Sequence, residues 1–172
     1  ATPTTLSAAT GVITQQALLD AYHLKYLENL LPVSTGSFSG ISTMLASQGQ
    51  VTTWDNHELG NKAYINGGAP ASLYNSSANG SSNTAFDVNT TGAFINDTPT
   101  FDTLQAAFLN YQPIRQPQTI AAPADPRSDG ELKLYSTQQW GANVQMFNLD
   151  TRSFRDVRLN KATRSEEHTS EL

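Results

Sequence analysis

Cysteine is absent from the 172-residue chain, which excludes disulfide bonds, thiolate zinc sites and a cysteine nucleophile. No apolar run approaches the roughly 18 residues that a membrane-spanning helix needs, so we expect no membrane span. Charged residues make up only 15% of the chain, against about 25% in ordinary globular domains. The formal net charge is −5 and there is no basic patch, so we expect no nucleic-acid partner.

Serine, threonine, asparagine, glutamine and glycine take the place of the missing charges, which suits an extracellular, loop-rich protein. The length corresponds to about one domain. The chain starts without Met or a signal peptide, and its last nine residues, RSEEHTSEL at 164–172, are similar to the conceptual translation of a sequencing adaptor. We therefore expect residues 1–163 to be an internal fragment of a larger domain and residues 164–172 to be an adaptor-derived tail that packs against nothing.

Two segments have the apolar spacing of amphipathic helices. The first covers residues 14–31 and ends before Pro32, and the second covers residues 100–111, with Thr98 or Thr100 as its cap. A shorter helix is predicted at 41–48. The aromatic residues that we expect mainly in the core, rather than stacked on a substrate, are Tyr22, Tyr26, Phe108 and Trp140.

Three segments are predicted to be strands because they are rich in β-branched and apolar residues. They cover residues 50–54, 132–135 and 144–150, and the last is expected to have one or both faces buried. Residues 59–100 carry no strong period, and the Gly67-Gly68 pair within them is expected to form a turn.

The residues with the clearest chemistry are Asp55, Asn56, His57 and Glu58, which follow the first predicted strand. Asparagine and carboxylate oxygens can bind a metal, and histidine can bind a metal or donate a proton near neutral pH. The group therefore suits metal-assisted hydrolysis. The alternative is a polar turn in which Asp55 or Asn56 caps the next segment.

The stretch VTTWDNHELGN at 51–61 resembles a conserved block of the PhoD-like (alkaline phosphatase D) metallophosphoesterases. Three further stretches resemble that family in the same order along the chain. They are the tyrosine-containing segment at 22–26 with Met44 and Leu45, the sequence FLNYQPI at 108–114, and a strand pair that ends in LDTRSFR at 149–155.

This resemblance implies roles for particular residues. Asn56 is expected to bind a metal, and His57 to contact the phosphoryl oxygens or protonate the leaving group. Asp55 is a second candidate metal ligand or, like Glu58, a supporting group. Asp150 and Arg152 fall on the LDTR motif: either they form an ion pair at a strand end, with Asp150 in a supporting role, or Arg152 contacts phosphate, because guanidinium matches phosphate geometry.

The resemblance also implies a fold and an activity for the parent protein. The fold class is α/β, a partial β-sandwich flanked by helices. The parent is expected to be a secreted or periplasmic phosphatase that hydrolyses phosphate mono- or diesters with calcium and iron, or another set of divalent ions. Motifs that carry the family's other metal ligands are missing from this chain, so the chain alone is expected to be inactive. The alternative is a non-catalytic extracellular binding or surface module.

Overall fold

Helices and small antiparallel sheets together build the described part of the chain. The computed structural model describes residues 14–31, 40–55, 57–59, 66–73, 92–112, 114, 117–121 and 124–156. Within these ranges the helices are α1 (Gln15–Leu30), α2 (Gly40–Ser47) and α3 (Pro99–Tyr111). The strands are β1 (Gln118–Thr119), β2 (Leu132–Lys133), β3 (Ser136–Trp140) and β4 (Val144–Asn148), and short 3₁₀ turns lie at Ala71–Leu73 and Pro126–Ser128.

Local sequence signals set the ends of the two long helices. The Thr14 side chain accepts a hydrogen bond from the Ala17 backbone at the start of α1, and Thr98 accepts one from Phe101 at the start of α3. Both threonines satisfy an N–H group that a helix start leaves unpaired. The predictions of helices at 14–31, 41–48 and 100–111 are confirmed to within one or two residues.

The core lies where α1 packs against α3. Its buried apolar side chains include Leu18 and Tyr22 from α1 and Phe101, Leu104 and Phe108 from α3. Trp54 completes this core from outside the helices, because its ring lies edge-on to Phe101 at 5.5 Å and tilted against Phe108 at 5.6 Å. Burial of Tyr22 and Phe108 agrees with their prediction as core residues, and Tyr26 is partly buried at the edge of the same cluster.

The strands form two separate antiparallel pairs, β1 with β2 and β3 with β4. In the β3–β4 hairpin, Trp140 is paired with Val144 and the turn carries Gly141 at φ +64°. Apolar alternation is missing from β3, whose sequence is STQQW, so the pattern of apolar residues did not predict this strand. The expected burial of 144–150 and of Trp140 is wrong: Trp140 is 61% exposed and Phe147 63% exposed.

The expected strand at 50–54 is also absent, since residues 50–55 carry no strand. This segment instead meets the end of β4 through side chains. Asn148 donates to the Thr52 carbonyl at 2.9 Å, and the Thr53 hydroxyl donates to the Leu149 carbonyl at 3.1 Å. A strand requires a ladder of backbone partners, whereas a side chain is the donor in both of these contacts.

The Gly67-Gly68 pair forms a turn, as predicted, that packs directly on residues 152–155. Gly67 N donates to the Arg152 carbonyl at 3.1 Å, and Gly68 N donates to the Arg155 carbonyl at 2.9 Å. A Cβ atom on Gly67 would overlap the Ser153 carbonyl oxygen. Glycine is therefore needed here for close backbone approach.

None of the helices in the described ranges combines the length and the apolar character needed to cross a bilayer.

Candidate functional site

Two hydrogen bonds between side chains and backbone join Asp55, His57 and Glu58, and these three residues define the 55–58 turn. Asp55 Oδ1 accepts a hydrogen bond from His57 N at 2.7 Å, and Glu58 Oε2 accepts one from Asp55 N at 2.7 Å. The first bond is an Asx-type contact, in which an aspartate side chain accepts from the backbone two residues on, and the second closes the Glu58 side chain onto the backbone of Asp55. The turn is thereby fixed and His57 is left exposed at its surface. Asn56, the predicted metal ligand, lies outside the described residues.

Asp150 ties this turn to the end of the β3–β4 hairpin. Its Oδ1 atom accepts hydrogen bonds from Trp54 Nε1 at 3.0 Å, Arg152 N at 2.9 Å and Ser153 N at 3.0 Å. No ion pair joins the Asp150 and Arg152 side chains, which are both described. Asp150 therefore shapes the backbone of the 150–153 turn and holds it against Trp54, the residue that precedes the 55–58 turn.

The hydrogen bonds, charges and burial of the 55–58 turn shift the pKa values of its two carboxyl groups. The hydrogen bond from His57 N is the main reason that the pKa of Asp55 is lowered, and the charges of His57 and Arg152 act in the same direction. The positive charge of Arg152 therefore favours the ionised form of Asp55. Burial is the main reason that the pKa of Glu58 is raised. Asp55 is thus held ionised, while the half-buried position of Glu58 disfavours its charged form.

A small cleft of about 100 Å³ separates the 55–58 turn from α1. It is lined by residues from both elements, Tyr22, Lys25, Tyr26, Asn29, His57 and Glu58. Burial raises the pKa of both tyrosines, and the charge of Glu58 raises it further. The two phenol groups therefore remain protonated through the physiological range. His23, in contrast, lies on the flank of α1, where it contacts Asn110 and the ring of Tyr111.

A second, open concavity of about 560 Å³ borders the 150–155 turn. Asp150, Thr151, Arg152, Phe154 and Arg155 line it. Both arginine side chains reach this surface from the same turn, whose ends are joined by a hydrogen bond from Arg155 N to the Arg152 carbonyl.

The described residues do not complete a metal site. No group of three or more His, Cys, Asp or Glu side chains among them is placed to hold an ion. Asp55 offers an ionised carboxylate, but its Oδ1 atom already accepts from His57. Calcium takes about six to eight oxygen ligands, so a metal at this turn needs ligands from outside the described residues.

Two features of the site were missed by the sequence predictions. One is the bond between Trp54 and Asp150, and the other is the place of Tyr22 and Tyr26 beside His57. Trp54 and Asp150 lie 96 residues apart, and no local pattern indicates such a pairing. The four-residue spacing of the tyrosines predicts that they lie on one face of α1, but it does not predict which turn that face meets.

An exposed histidine on such a turn can donate a proton near neutral pH, and a guanidinium group matches the geometry of phosphate. A family model described as PhoD-like phosphatase matches residues 19–171. The chain belongs to the PhoD-like phosphatase family. This membership indicates a phosphatase-type hydrolase.

Comparisons with curated proteins and with solved structures gave no match. The family match runs to residue 171 and thus extends over most of the segment that the sequence predicts to be an adaptor-derived tail. Residues 157–172 lie outside the described residues, so the division after residue 163 and the absence of packing by the tail stay predictions.

Proposed function

We propose that this chain carries the proton-donating and phosphate-contacting part of a metal-dependent phosphatase that acts on phosphate mono- or diesters. The observation that supports this most directly is the hydrogen-bonded 55–58 turn, which leaves His57 exposed beside Asp55. A catalytic acid must be held at a defined place while its ring remains accessible to substrate, and the turn satisfies both conditions.

Each residue has a distinct role in this proposal. His57 contacts a phosphoryl oxygen or donates a proton to the leaving oxygen of the ester. Arg152 contacts the phosphoryl group, for which its planar fork of N–H donors is suited. Glu58 and Asp150 position these two residues, since Glu58 closes the turn and Asp150 accepts from the backbone of Arg152.

Asn56 and Asp55 are proposed as oxygen ligands of a metal, and the remaining ligands are proposed to lie outside the described residues. Calcium and iron are the ions that the resemblance implies. Because motifs for the family's other metal ligands are missing from this chain, we propose that the chain alone is inactive. We also propose that its two-stranded sheets belong to a larger β-sandwich in the parent enzyme. We also propose that the parent enzyme is secreted or periplasmic. Family membership favours this enzyme over a non-catalytic surface module.

The test is hydrolysis of p-nitrophenyl phosphate and bis-p-nitrophenyl phosphate across a series of metal ions. Two proteins are compared, the present chain and a longer gene product that contains it. We expect turnover only in the longer protein, only with metal, and strongly reduced by His57→Ala. Metal-independent turnover, or wild-type rates in the His57→Ala protein, would contradict the proposed function.

A further inference from the structure

The arginines of the 150–155 turn differ from the other basic residues that the structure describes. Lys25 is paired with Glu28 at 2.6 Å, and Arg127 is paired with Asp125 at 2.6 Å. Lys133 lies over the ring of Tyr135, 4.9 Å from its centre. Among the described residues, Arg152 and Arg155 form no ion pair, although the chain as a whole carries more acidic than basic residues.

Both of these arginines line the same open concavity. The Arg152 Nε atom is buried and has no hydrogen-bond partner in the described part of the chain. The guanidinium group carries four further N–H donors on its two terminal nitrogens, and a ligand that enters the concavity with acceptor oxygens is suited to them.

The side chains that line the concavity carry two positive charges and one negative charge. Asp150 is the carboxylate on its border, but Oδ1 accepts three N–H groups and Oδ2 is buried. This carboxylate is therefore turned towards the protein. The Thr151 hydroxyl is exposed beside it and can donate to an anion. Two unpaired guanidiniums and a hydroxyl make a positively charged, donor-rich surface.

We propose that this concavity binds a second anionic group of the substrate, with Arg155 as the residue that selects for it. The proposal rests on the proposed function and extends it. In this proposal Arg152, whose backbone is held by the same Asp150 oxygen that binds Trp54, contacts the phosphoryl group that reacts, and Arg155 lies three residues further along the turn. The substrate class is then a phosphate ester or anhydride that carries another phosphate or carboxylate group beside the bond that is cleaved.

The turn itself is held by backbone atoms, so its arginine side chains can be changed without removing its anchors. The carbonyl groups of Arg152 and Arg155 accept hydrogen bonds from Gly67 and Gly68, and these bonds remain in any side-chain variant. Arg155→Gln removes the charge, and Arg155→Lys keeps the charge but loses the forked donor geometry. Lys133→Gln is the matched control, because it removes one charge from a different surface.

The experiment is calorimetric titration of the purified chain with inorganic phosphate and with inorganic pyrophosphate at neutral pH and fixed ionic strength. We expect pyrophosphate to bind about tenfold more tightly than phosphate, since one added charge-assisted contact contributes about this much. Arg155→Gln should remove that advantage while phosphate binding changes little, and Arg155→Lys should keep part of it. Arg152→Gln should weaken both anions.

The outcomes separate this proposal from the proposed function. If Arg155→Gln has no larger effect than Lys133→Gln, or if neither anion binds the chain, the second anion site is wrong. If pyrophosphate binding depends on Arg155 but the longer protein hydrolyses no phosphate ester, the anion site is supported and the phosphatase assignment of the 55–58 turn fails. Melting curves of each variant establish that a loss of binding is not a loss of folding.

Discussion

Trp54 connects the core to the candidate site through a single side chain. Its ring packs against Phe101 and Phe108, while its Nε1 atom donates to Asp150 at 3.0 Å. Trp54→Phe keeps an aromatic ring but leaves Asp150 without this donor. We expect the free energy of unfolding in urea to fall by about 2 kcal/mol or more, the cost of losing a hydrogen bond to a charged group and some packing.

The matched control for this change is Trp140→Phe. Trp140 is 61% exposed at the end of β3, and surface substitutions usually change stability by less than about 0.5 kcal/mol. If the two variants have equal stability, the hydrogen bond between Trp54 and Asp150 does not contribute as the structure implies.

The second prediction for a single residue concerns the exposed His57. In a longer protein that hydrolyses phosphate esters, His57→Ala is expected to lower kcat by about 10²–10⁴-fold, the usual contribution of a positioned acid or base. His23→Ala is the control, because His23 is not among the residues that line the cleft and its ring nitrogen is in contact with Asn110. An equal loss of kcat in both variants would point to a general structural effect.

Asn56 is expected to behave differently from His57. As a neutral oxygen ligand, it should affect metal occupancy more than the reaction itself, so excess metal should partly restore the activity of Asn56→Ala. The measurement is metal content by mass spectrometry together with kcat at low and high metal concentration. Unchanged metal content in Asn56→Ala would contradict its role as a ligand.

The polar residues of this site could be identified from the sequence, because four chemically distinct side chains in a row stand out without any structure. Two interpretations of Asp55 stayed open at that level, and the hydrogen bond from His57 N agrees with the capping interpretation. The contact of Asp150 with Trp54 was not predictable, since it joins residues 96 positions apart. The metal and catalytic roles of the site residues stay predictions.

At the scale of elements, the contact between the Gly67-Gly68 turn and the 152–155 turn allows a sharp test. Gly67→Ala places a Cβ against the Ser153 carbonyl oxygen, and overpacking of this kind costs about 1–3 kcal/mol or more. We expect a clear loss of stability in urea unfolding. Gly49→Ala is the control, because nothing lies within 4 Å of its added Cβ; this variant should be neutral or slightly more stable.

Helices were predicted better than strands for a physical reason. The caps at Thr14 and Thr98 and the apolar spacing of α1 and α3 are local, so they can be recognised in the sequence alone. A strand depends on a partner elsewhere in the chain. The segment 50–54 has the composition of a strand but meets 148–150 through side chains, whereas the glutamine-rich β3 finds a full ladder with β4.

At the scale of the whole molecule, a buried carboxyl group links stability to pH. Burial, with the nearby charges of Asp102, Asp97 and Asp150, raises the pKa of Glu131 from 4.5 to about 8. Glu131 is therefore more protonated in the folded chain than in the unfolded chain between these values, and its contribution to stability falls as the pH rises through this window. The slope for one group is at most about 1.4 kcal/mol per pH unit.

Melting temperatures measured from pH 5 to pH 9 test this expectation. Glu131→Gln keeps the shape of the side chain without its charge, so the variant should lose less stability than the parent chain as the pH rises. Glu28→Gln is the control, since Glu28 is a surface carboxylate whose side chain is 49% exposed. Parallel pH profiles for the parent chain and Glu131→Gln would show that Glu131 does not titrate in this way.

The hydrogen bonds that join 52–54 to 148–150 all span 96 residues, and this separation governs when the site can form. On the ribosome, the 55–58 turn leaves the exit tunnel long before Asp150 has been synthesised. Contacts so distant in sequence are made late and slowly, so α1 and α3 have time to pack first. Nascent chains stalled before residue 150 should therefore contain the helical core but lack the hydrogen bonds that hold residues 52–54 against 148–150, and anions that need Arg152 and Arg155 should not bind them.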